Sequence, residues 1–324
     1  METFPSRMEN KFPGFEEEVS APRRHSPETW EGRSWPGGAE TGIINSWGAG
    51  QSPFQWFVRT RPQVRDVFSA LWETDDLLCS FDGFGAFRPW RLNPKWKTQG
   101  GWWHVDQNPI SKPDRVCVQG LVSLYDGTSS VGGLTVIPGS HKEFCAFGKR
   151  AQKEGRLMGK TDFVPVPHED PIMSPGGRLV LCKAGDLLLW DSRTVHCNTP
   201  GESLSDTEGK KVDDSVSPDV QSSSDSESHK EPVDLIRIVS YVCMTPAAWA
   251  DTKTKRRRME YANSGVTTNH WPHEILEGLK DTPPFWDAEG FVDKTLIIGK
   301  DPAGLNETVD SSVSKIWTTK CVVM

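Results

Sequence analysis

Residues 185–198 read GDLLLWDSRTVHCN, an apolar run followed by a polar turn and a histidine. The run 186–190 is bounded by turn residues and predicts a strand. Comparable runs are RVCVQGLVSLY at 115–125, GLTVIP at 133–138, RLVLC at 178–182 and IRIVSYVCM at 236–244. Many short strands with turn residues between them, and no alternation with long helices, predict a β-sandwich or barrel.

The chain has 324 residues, which is compatible with one large domain that carries irregular ends. Residues 1–50 are rich in proline, glycine and charge and predict an extension over the surface. Apolar residues at spacings of three and four in 53–72 predict two packed helices. We therefore place the main domain at 51–298 and a loosely composed C-terminal tail at 299–324.

Composition limits the cellular setting. The first thirty residues contain no apolar run typical of a secretory signal, and no stretch approaches the roughly 20 apolar residues that span a bilayer. The seven cysteines lack CxxC pairs, which fits a reducing compartment. These features predict a soluble, cytoplasmic protein. The run KTKRRR at 253–258 has two interpretations, a nuclear import signal or a solvated helix face.

The net charge of −7 is concentrated in residues 201–232, which contain nine acidic residues and three lysines, a net of 9 − 3 = 6 negative charges. The rest of the chain is nearly neutral, so we expect no general attraction for nucleic acid. The SSSDSES run at 222–228 would suit acidophilic kinases, or it is part of a plain spacer.

The stretch 100–108, GGWWHVDQN, places His104 and Asp106 two positions apart. In a strand, residues i and i+2 point to the same face, so both side chains can bind one ion. The alternative is a polar turn pair. His196, which follows the strand at 186–190, is the candidate third ligand, although it could be an ordinary histidine. Two histidines and one carboxylate form the facial triad that holds non-haem Fe(II) and leaves positions open for a co-substrate and oxygen.

Three runs carry a resemblance to a known family: GWWHVDQ at 101–107, GGLTVIPGSHK at 132–142 and residues 185–198. In this order they resemble the phytanoyl-CoA dioxygenase-like branch of the Fe(II)- and 2-oxoglutarate-dependent oxygenases. The resemblance covers about 76–244 and is weaker at 247–258 and 267–273. It implies a mainly β fold with flanking helices, a double-stranded β-helix of the jelly-roll or cupin type. It also implies iron at the barrel mouth bound by His104, Asp106 and His196, with 2-oxoglutarate and O2 as co-substrates and ascorbate supporting activity.

In that family an arginine on the strand after the distal histidine pairs with the far carboxylate of 2-oxoglutarate. Arg237 heads the matching strand but lies 41 residues after His196 (237 − 196), where the family shows about ten. An insertion at 201–232 would explain the difference, because long loops cost little closure entropy. Arg193 and Arg178 are alternatives. Asn198 stands where the family often has a hydroxyl residue, and its amide can donate to a carboxylate.

The resemblance implies an enzyme that hydroxylates a small organic substrate, with succinate and CO2 as co-products. Asp106 favours hydroxylation, because related halogenating enzymes have a small residue at this position. Two alternatives stay open: a catalytically silent metal-binding scaffold, and a cupin-type metalloenzyme that does not use 2-oxoglutarate. Four tryptophans could line a pocket, but core packing is the favoured interpretation for Trp90, Trp96, Trp102 and Trp103.

Other residues have structural or regulatory interpretations. His141 is interpreted as part of a turn, and His270 and His273 as packing residues. The C-terminal CVVM predicts farnesylation of Cys321 in a eukaryotic host, which by itself would give only weak membrane anchoring.

Overall fold

The computed structural model describes residues 23, 25–31, 35–38, 40–46, 48–157, 161–202, 233–274, 293–300 and 321–323. Most of the acidic segment lies outside these residues, including the run at 222–228 that would suit acidophilic kinases. The helices are α1 (Pro53–Arg59), α2 (Pro62–Trp72), α3 (Phe144–Lys153), α4 (Thr252–Asn263) and α5 (Thr295–Ile298). None of the helices in the described part of the chain combines the length and apolar character that crossing a bilayer requires.

The strands form two sheets. The first has the order β1-β3-β11-β5-β9-β12, with β2 paired to β11, and the second has the order β7-β4-β10-β6-β8. Strands of the first sheet are β1 (Ile43–Ile44), β2 (Leu77–Cys79), β3 (Phe84–Phe87), β5 (Val118–Ser123), β9 (Leu187–Asp191), β11 (Arg237–Pro246) and β12 (Cys321–Val323). Those of the second are β4 (His104–Val105), β6 (Gly132–Val136), β7 (Val164–Pro165), β8 (Arg178–Leu179) and β10 (His196–Pro200).

The chain moves repeatedly between the two sheets. Within them, the antiparallel orders β3-β11-β5-β9 and β4-β10-β6-β8 interleave in sequence, as expected for a jelly roll. Apolar side chains from both sheets share one buried cluster, in which Leu134 of the second sheet packs with Leu121 and Val239 of the first. The two sheets therefore face each other, which confirms the predicted mainly β jelly-roll class with flanking helices.

Local signals explain the helices that cover the first sheet. At α1, Pro53 occupies the first turn and the Ser52 hydroxyl accepts from the Gln55 amide, a standard N-cap. Trp56 of α1 and Phe68 of α2 are both fully buried against the sheet. The two helices predicted at 53–72 are therefore present, and their apolar residues pack against the first sheet.

Helix α4 contains the basic run at 253–258. The last residue of this run, Arg258, is buried. The Arg258 guanidinium donates to the carbonyls of Cys79, Pro272, Leu296 and Ile297 at 2.6–3.0 Å. This arginine ties together parts of the chain that are distant in sequence, so it belongs to the core. The run is thus not uniformly a solvated face.

Part of the N-terminal extension is built into the fold. Trp30 is 2% exposed and packs with Trp90 and Trp96, which are core residues as predicted. Strand β1 pairs with β3, so residues 43–44 extend the first sheet. The domain boundaries at 51 and 298 stay a prediction.

The chain is anchored on both sides of residues 203–232. Before this segment, the Glu202 amide donates to the Ser129 carbonyl at 3.0 Å and the Glu202 carbonyl accepts from Arg91 at 2.7 Å. After it, the Val233 carbonyl lies 3.1 Å from Nδ1 of His25. The segment therefore connects two anchored points between β10 and β11.

The end of the chain contributes the backbone of β12, which pairs in parallel with β9. Cys321 lies opposite Leu187 in this register. Farnesylation of Cys321 stays a prediction.

Candidate metal centre

His104, Asp106 and His196 lie together on the second sheet. His104 and His196 are direct partners in the β4–β10 register, and Asp106 follows β4 by one residue. The left-handed φ of +77° at Gly101 shapes the turn before β4, a conformation that glycine adopts without strain. Within the described residues this is the one group of three His, Cys, Asp or Glu whose ligand atoms all lie within 4.8 Å of each other.

The spacing of the ligand atoms suits a single ion. Nε2 of His104 lies 3.5 Å from Oδ1 of Asp106, and Nε2 of His196 lies 3.3 Å from Oδ2. Two ligands at about 2.1 Å from one metal and at right angles would be about 3.0 Å apart. Small side-chain shifts would close this difference.

Hydrogen bonds fix which imidazole nitrogen can bind a metal. Nδ1 of His104 lies 3.0 Å from the Trp102 carbonyl, and Nδ1 of His196 lies 2.9 Å from the Thr194 carbonyl. A carbonyl oxygen only accepts, so each Nδ1 carries a proton, and Nε2 is the nitrogen left to bind a metal. This is the usual arrangement of metal-binding histidines.

The electrostatics favour the ionised form of Asp106 and the neutral form of His196. Burial by itself disfavours the Asp106 carboxylate, but His104 and His196 outweigh it and hold the pKa of Asp106 well below its usual range. Burial, with His104, lowers the pKa of His196. The Asp106 carboxylate faces Nε2 of both rings at 3.3–3.5 Å, and two imidazole nitrogens with one carboxylate are a set of donors that fits a cation.

Two aromatic rings flank the His104 imidazole. Trp102 stacks on one side with centroids 4.8 Å apart and planes within 7°, and Phe163 stacks at 4.7 Å. Phe163 is 48% exposed although it is a large apolar residue. The rings hold the imidazole in one orientation and give the site an apolar rim.

The cluster opens into a cavity of about 610 Å³ between the two sheets. Apolar side chains from both sheets line it. Leu121, Trp190 and Val239 come from the first sheet, and Leu134 comes from the second. A volume of this size accommodates a small organic molecule.

Arg237 and Asn198 also line this cavity. Arg237 is 4% exposed, its guanidinium lies over the Phe87 ring at 3.7 Å, and Nη2 donates to Oδ1 of Asn198. Burial lowers the pKa of Arg237 to about 10. Nε of Arg237 and Nδ2 of Asn198 have no partner in the described part of the chain. A buried cation next to an unused amide donor fits an anionic ligand such as a carboxylate.

The two alternative arginines lie elsewhere. Arg193 makes a two-point ion pair with Asp191, with hydrogen bonds of 2.9 and 2.7 Å. Arg178 is exposed, and neither of them is among the residues that line the cavity. Of the three candidates, Arg237 is the one brought to the cluster.

Other cavity residues were not identified from sequence. Gln119 of β5 donates from Nε2 to Oδ2 of Asp106 at 3.1 Å, and Nε2 of His270 donates to the Asp106 carbonyl at 3.0 Å. Both support the position of the carboxylate. Trp102 lines the cavity, whereas Trp103 packs in the core. A single glutamine in an apolar strand is the one signal that could have pointed to Gln119.

Comparison with known proteins places this geometry in a family. The model of the phytanoyl-CoA dioxygenase family matches residues 23–203, more than half of the chain. The chain belongs to the phytanoyl-CoA dioxygenase family. The expected resemblance is thereby confirmed.

Two relatives match over part of their length. The "Ava biosynthesis cluster protein O" of Aspergillus versicolor is 32% identical over 67% of this chain and 62% of its own length. A Dictyostelium discoideum protein named for the phytanoyl-CoA dioxygenases is 31% identical over 26% of this chain and 33% of its own. The chain therefore spans less than two thirds of either relative.

Solved structures with distant likeness include EctD from S. alaskensis with bound Fe, at 15% identity and a TM-score of 0.36 over 62% of this chain and 55% of that one. EvdO2 from Micromonospora carbonacea var. aurantiaca, complexed with 2-oxoglutarate, has 16% identity and a TM-score of 0.28 over 58% and 61%. Likeness at this level supports no conclusion about this chain.

Proposed function

We propose that this protein is an Fe(II)- and 2-oxoglutarate-dependent oxygenase that hydroxylates a small organic substrate. The observation that carries the proposal is the shared cavity. Two groups line the same space. The first is the cluster of two imidazoles and one carboxylate, and the second is a buried arginine without an acidic partner among the described residues. The first suits a divalent cation and the second suits an anion.

His104, Asp106 and His196 would hold the iron. The two histidines would bind through Nε2, because their Nδ1 protons are engaged by backbone carbonyls. Gln119 and His270 keep Asp106 in place. A facial arrangement leaves the remaining iron positions free for the co-substrate and O2.

Arg237 would receive the distal carboxylate of 2-oxoglutarate through charge-assisted hydrogen bonds, and Nδ2 of Asn198 would add a further donor. The apolar side chains of the lining, Leu121, Leu134, Trp190 and Val239, would restrict water next to the reacting atoms. When bound, iron and 2-oxoglutarate supply O2 activation, with succinate and CO2 as co-products. The residues of this chain supply orientation and shielding.

Binding and turnover together test the proposal. Mn(II) and 2-oxoglutarate binding is measured by titration calorimetry, and succinate formation is measured with Fe(II), ascorbate and air. We expect wild type to bind both and form succinate, and His104→Ala and Asp106→Ala to lose metal binding. His141→Ala, a histidine outside the cluster and the cavity lining, is the matched control and should keep it.

The outcomes separate the alternatives. Metal binding with 2-oxoglutarate binding but no succinate under any substrate screened would favour a scaffold. Metal binding without 2-oxoglutarate binding would favour a cupin-type enzyme. No metal binding by wild type would refute the proposal.

A further inference from the structure

Two polar side chains in the cavity have no role in the proposed iron and 2-oxoglutarate sites. Asp82, between β2 and β3, and Tyr241, on β11, both line the cavity. Tyr241 lies four residues after Arg237 on the same strand and therefore on the same face. The Asp82 carboxyl is close enough to raise the pKa of the Tyr241 hydroxyl, which burial already raises.

The Asp82 carboxyl has little to neutralise it. One oxygen accepts from the Gly83 amide at 2.7 Å. Arg59 is the cation that acts on it, but the Arg59 guanidinium donates to the backbone carbonyls of Gly50 and Asp82. Burial raises the pKa of Asp82 to about 7, so the group can both accept and donate a hydrogen bond.

The Tyr241 hydroxyl makes no hydrogen bond to any residue that the structure describes. Its raised pKa keeps it a neutral phenol, which donates one hydrogen bond and accepts others. A carboxyl with one partner and a phenol with none thus share a cavity whose lining combines apolar and polar side chains. Polar groups in this situation fit a polar group of a ligand.

The charge balance of the site with iron and 2-oxoglutarate bound indicates which polar group the ligand carries. The charges of Fe(II) and Arg237 would balance those of Asp106 and the two carboxylates of 2-oxoglutarate. Asp162, another acid of the lining, is paired with Lys112 at 2.6 Å. Asp82 is then the remaining acidic group, and in its ionised form it would repel an anionic substrate and attract an amine.

Apart from Arg237, the described lining of the cavity offers no lysine or arginine for a polyphosphate. Among its described lining residues Arg237 is the one lysine or arginine, and the proposed co-substrate would occupy it. At the rim, Trp102 and Phe163 instead present apolar ring surface.

We propose that Asp82 and Tyr241 bind the substrate, and that this substrate is a neutral or cationic molecule with an amino or hydroxyl group attached to an apolar, ring-containing body. An acyl-CoA thioester does not fit this description. The inference rests on the proposed function, because it assigns Arg237 to 2-oxoglutarate.

The test uses three probes with one ring system and different end groups: tryptamine, indole-3-ethanol and indole-3-propionate. Titration calorimetry measures their affinity for the full chain, with and without Mn(II) and 2-oxoglutarate. We expect tryptamine to bind at least about tenfold more tightly than the propionate, with the alcohol between them.

Asp82→Asn keeps the size of the side chain and an acceptor for the Gly83 amide, and it should reduce the amine preference to about twofold or less. Tyr241→Phe should weaken tryptamine and the alcohol together. The matched control is Asp66→Asn, which removes an exposed carboxylate of α2 and should keep the wild-type preference. Thermal melts establish that each variant is folded.

Equal affinity for the three probes, a preference that survives in Asp82→Asn, or no binding at about 10 mM would overturn the inference. The control titrations of Mn(II) and 2-oxoglutarate separate this from failure of the proposed function. If both bind and the amine preference is missing, only the substrate assignment fails. If neither binds, the oxygenase proposal itself fails, while the probe titrations without them still judge Asp82.

Discussion

Substitution of Arg237 tests whether this arginine serves the proposed co-substrate site or has a structural role. Burial lowers its pKa from 12.5 to about 10. At about 1.4 kcal/mol per pKa unit, the buried charge destabilises the ligand-free protein by roughly 3 kcal/mol. Arg237→Met removes this cost and leaves Oδ1 of Asn198 unpaired, which costs about 1–3 kcal/mol. The free energy of unfolding without ligand should therefore stay the same or rise by up to about 2 kcal/mol.

The same change should weaken 2-oxoglutarate binding. Two charge-assisted hydrogen bonds at about 1.5–3 kcal/mol each are lost, so the Kd should rise by roughly 150-fold or more. Urea unfolding measures the first quantity and titration calorimetry with Mn(II) the second. Unchanged or higher stability together with weaker 2-oxoglutarate binding would show that Arg237 serves ligand binding and not stability.

Arg193→Met is the matched control. Arg193 is ion-paired with Asp191, so its loss should lower stability and leave 2-oxoglutarate affinity unchanged. The reasoning is refuted if Arg237→Met unfolds more easily than wild type by over about 1 kcal/mol and still binds 2-oxoglutarate within a few fold.

Three further predictions follow from individual contacts. Arg258→Ala leaves four backbone carbonyls without their donor, at about 1–3 kcal/mol each, but it also removes a buried charge whose pKa is lowered to about 10, a gain of about 3 kcal/mol. The free energy of unfolding, measured in urea, should therefore fall by at least about 1 kcal/mol. Burial lowers the pKa of His273 from 6.5 to about 4, so as pH falls through this range the unfolded chain takes up the proton first. Stability should be complete above pH 6.5 and decline by up to about 3 kcal/mol toward pH 4, and His273→Gln should flatten this part of the urea-midpoint profile. Gln119→Leu removes a hydrogen bond to the Asp106 carboxylate and should weaken Mn(II) binding about tenfold, which calorimetry would measure; an unchanged Kd would mean that Gln119 does not orient the ligand.

The sequence predicted the class of fold because each short apolar run is bounded by turn residues. It also predicted that His104 and Asp106 share a face, since strand geometry alone requires it. Which strand brings the third side chain was less accessible. The direct pairing of His104 with His196 depends on the register of β4 and β10, and a strand of two residues carries no pattern that fixes a register.

The cavity residues Asp82, Tyr241 and His270 show a second limit. Each is a single polar residue in a loop or a strand, and the same residue type is common on protein surfaces. Only the packing of the two sheets places them around one space. His270 was interpreted as a packing residue for this reason, although its ring lies against the backbone of Asp106.

The anchoring of Glu202 and Val233 affects how this protein can change over time. The chain is tied down on both sides of residues 203–232 before it reaches Asn198 in one direction and Arg237 in the other. For the insertion that the sequence predicts at 201–232, we expect residues gained or lost between these two anchored points to change the free energy of folding little, since closure entropy grows slowly with length. Natural variation in the length of the segment, or a label inserted there by engineering, would be insulated from the Asn198–Arg237 contact.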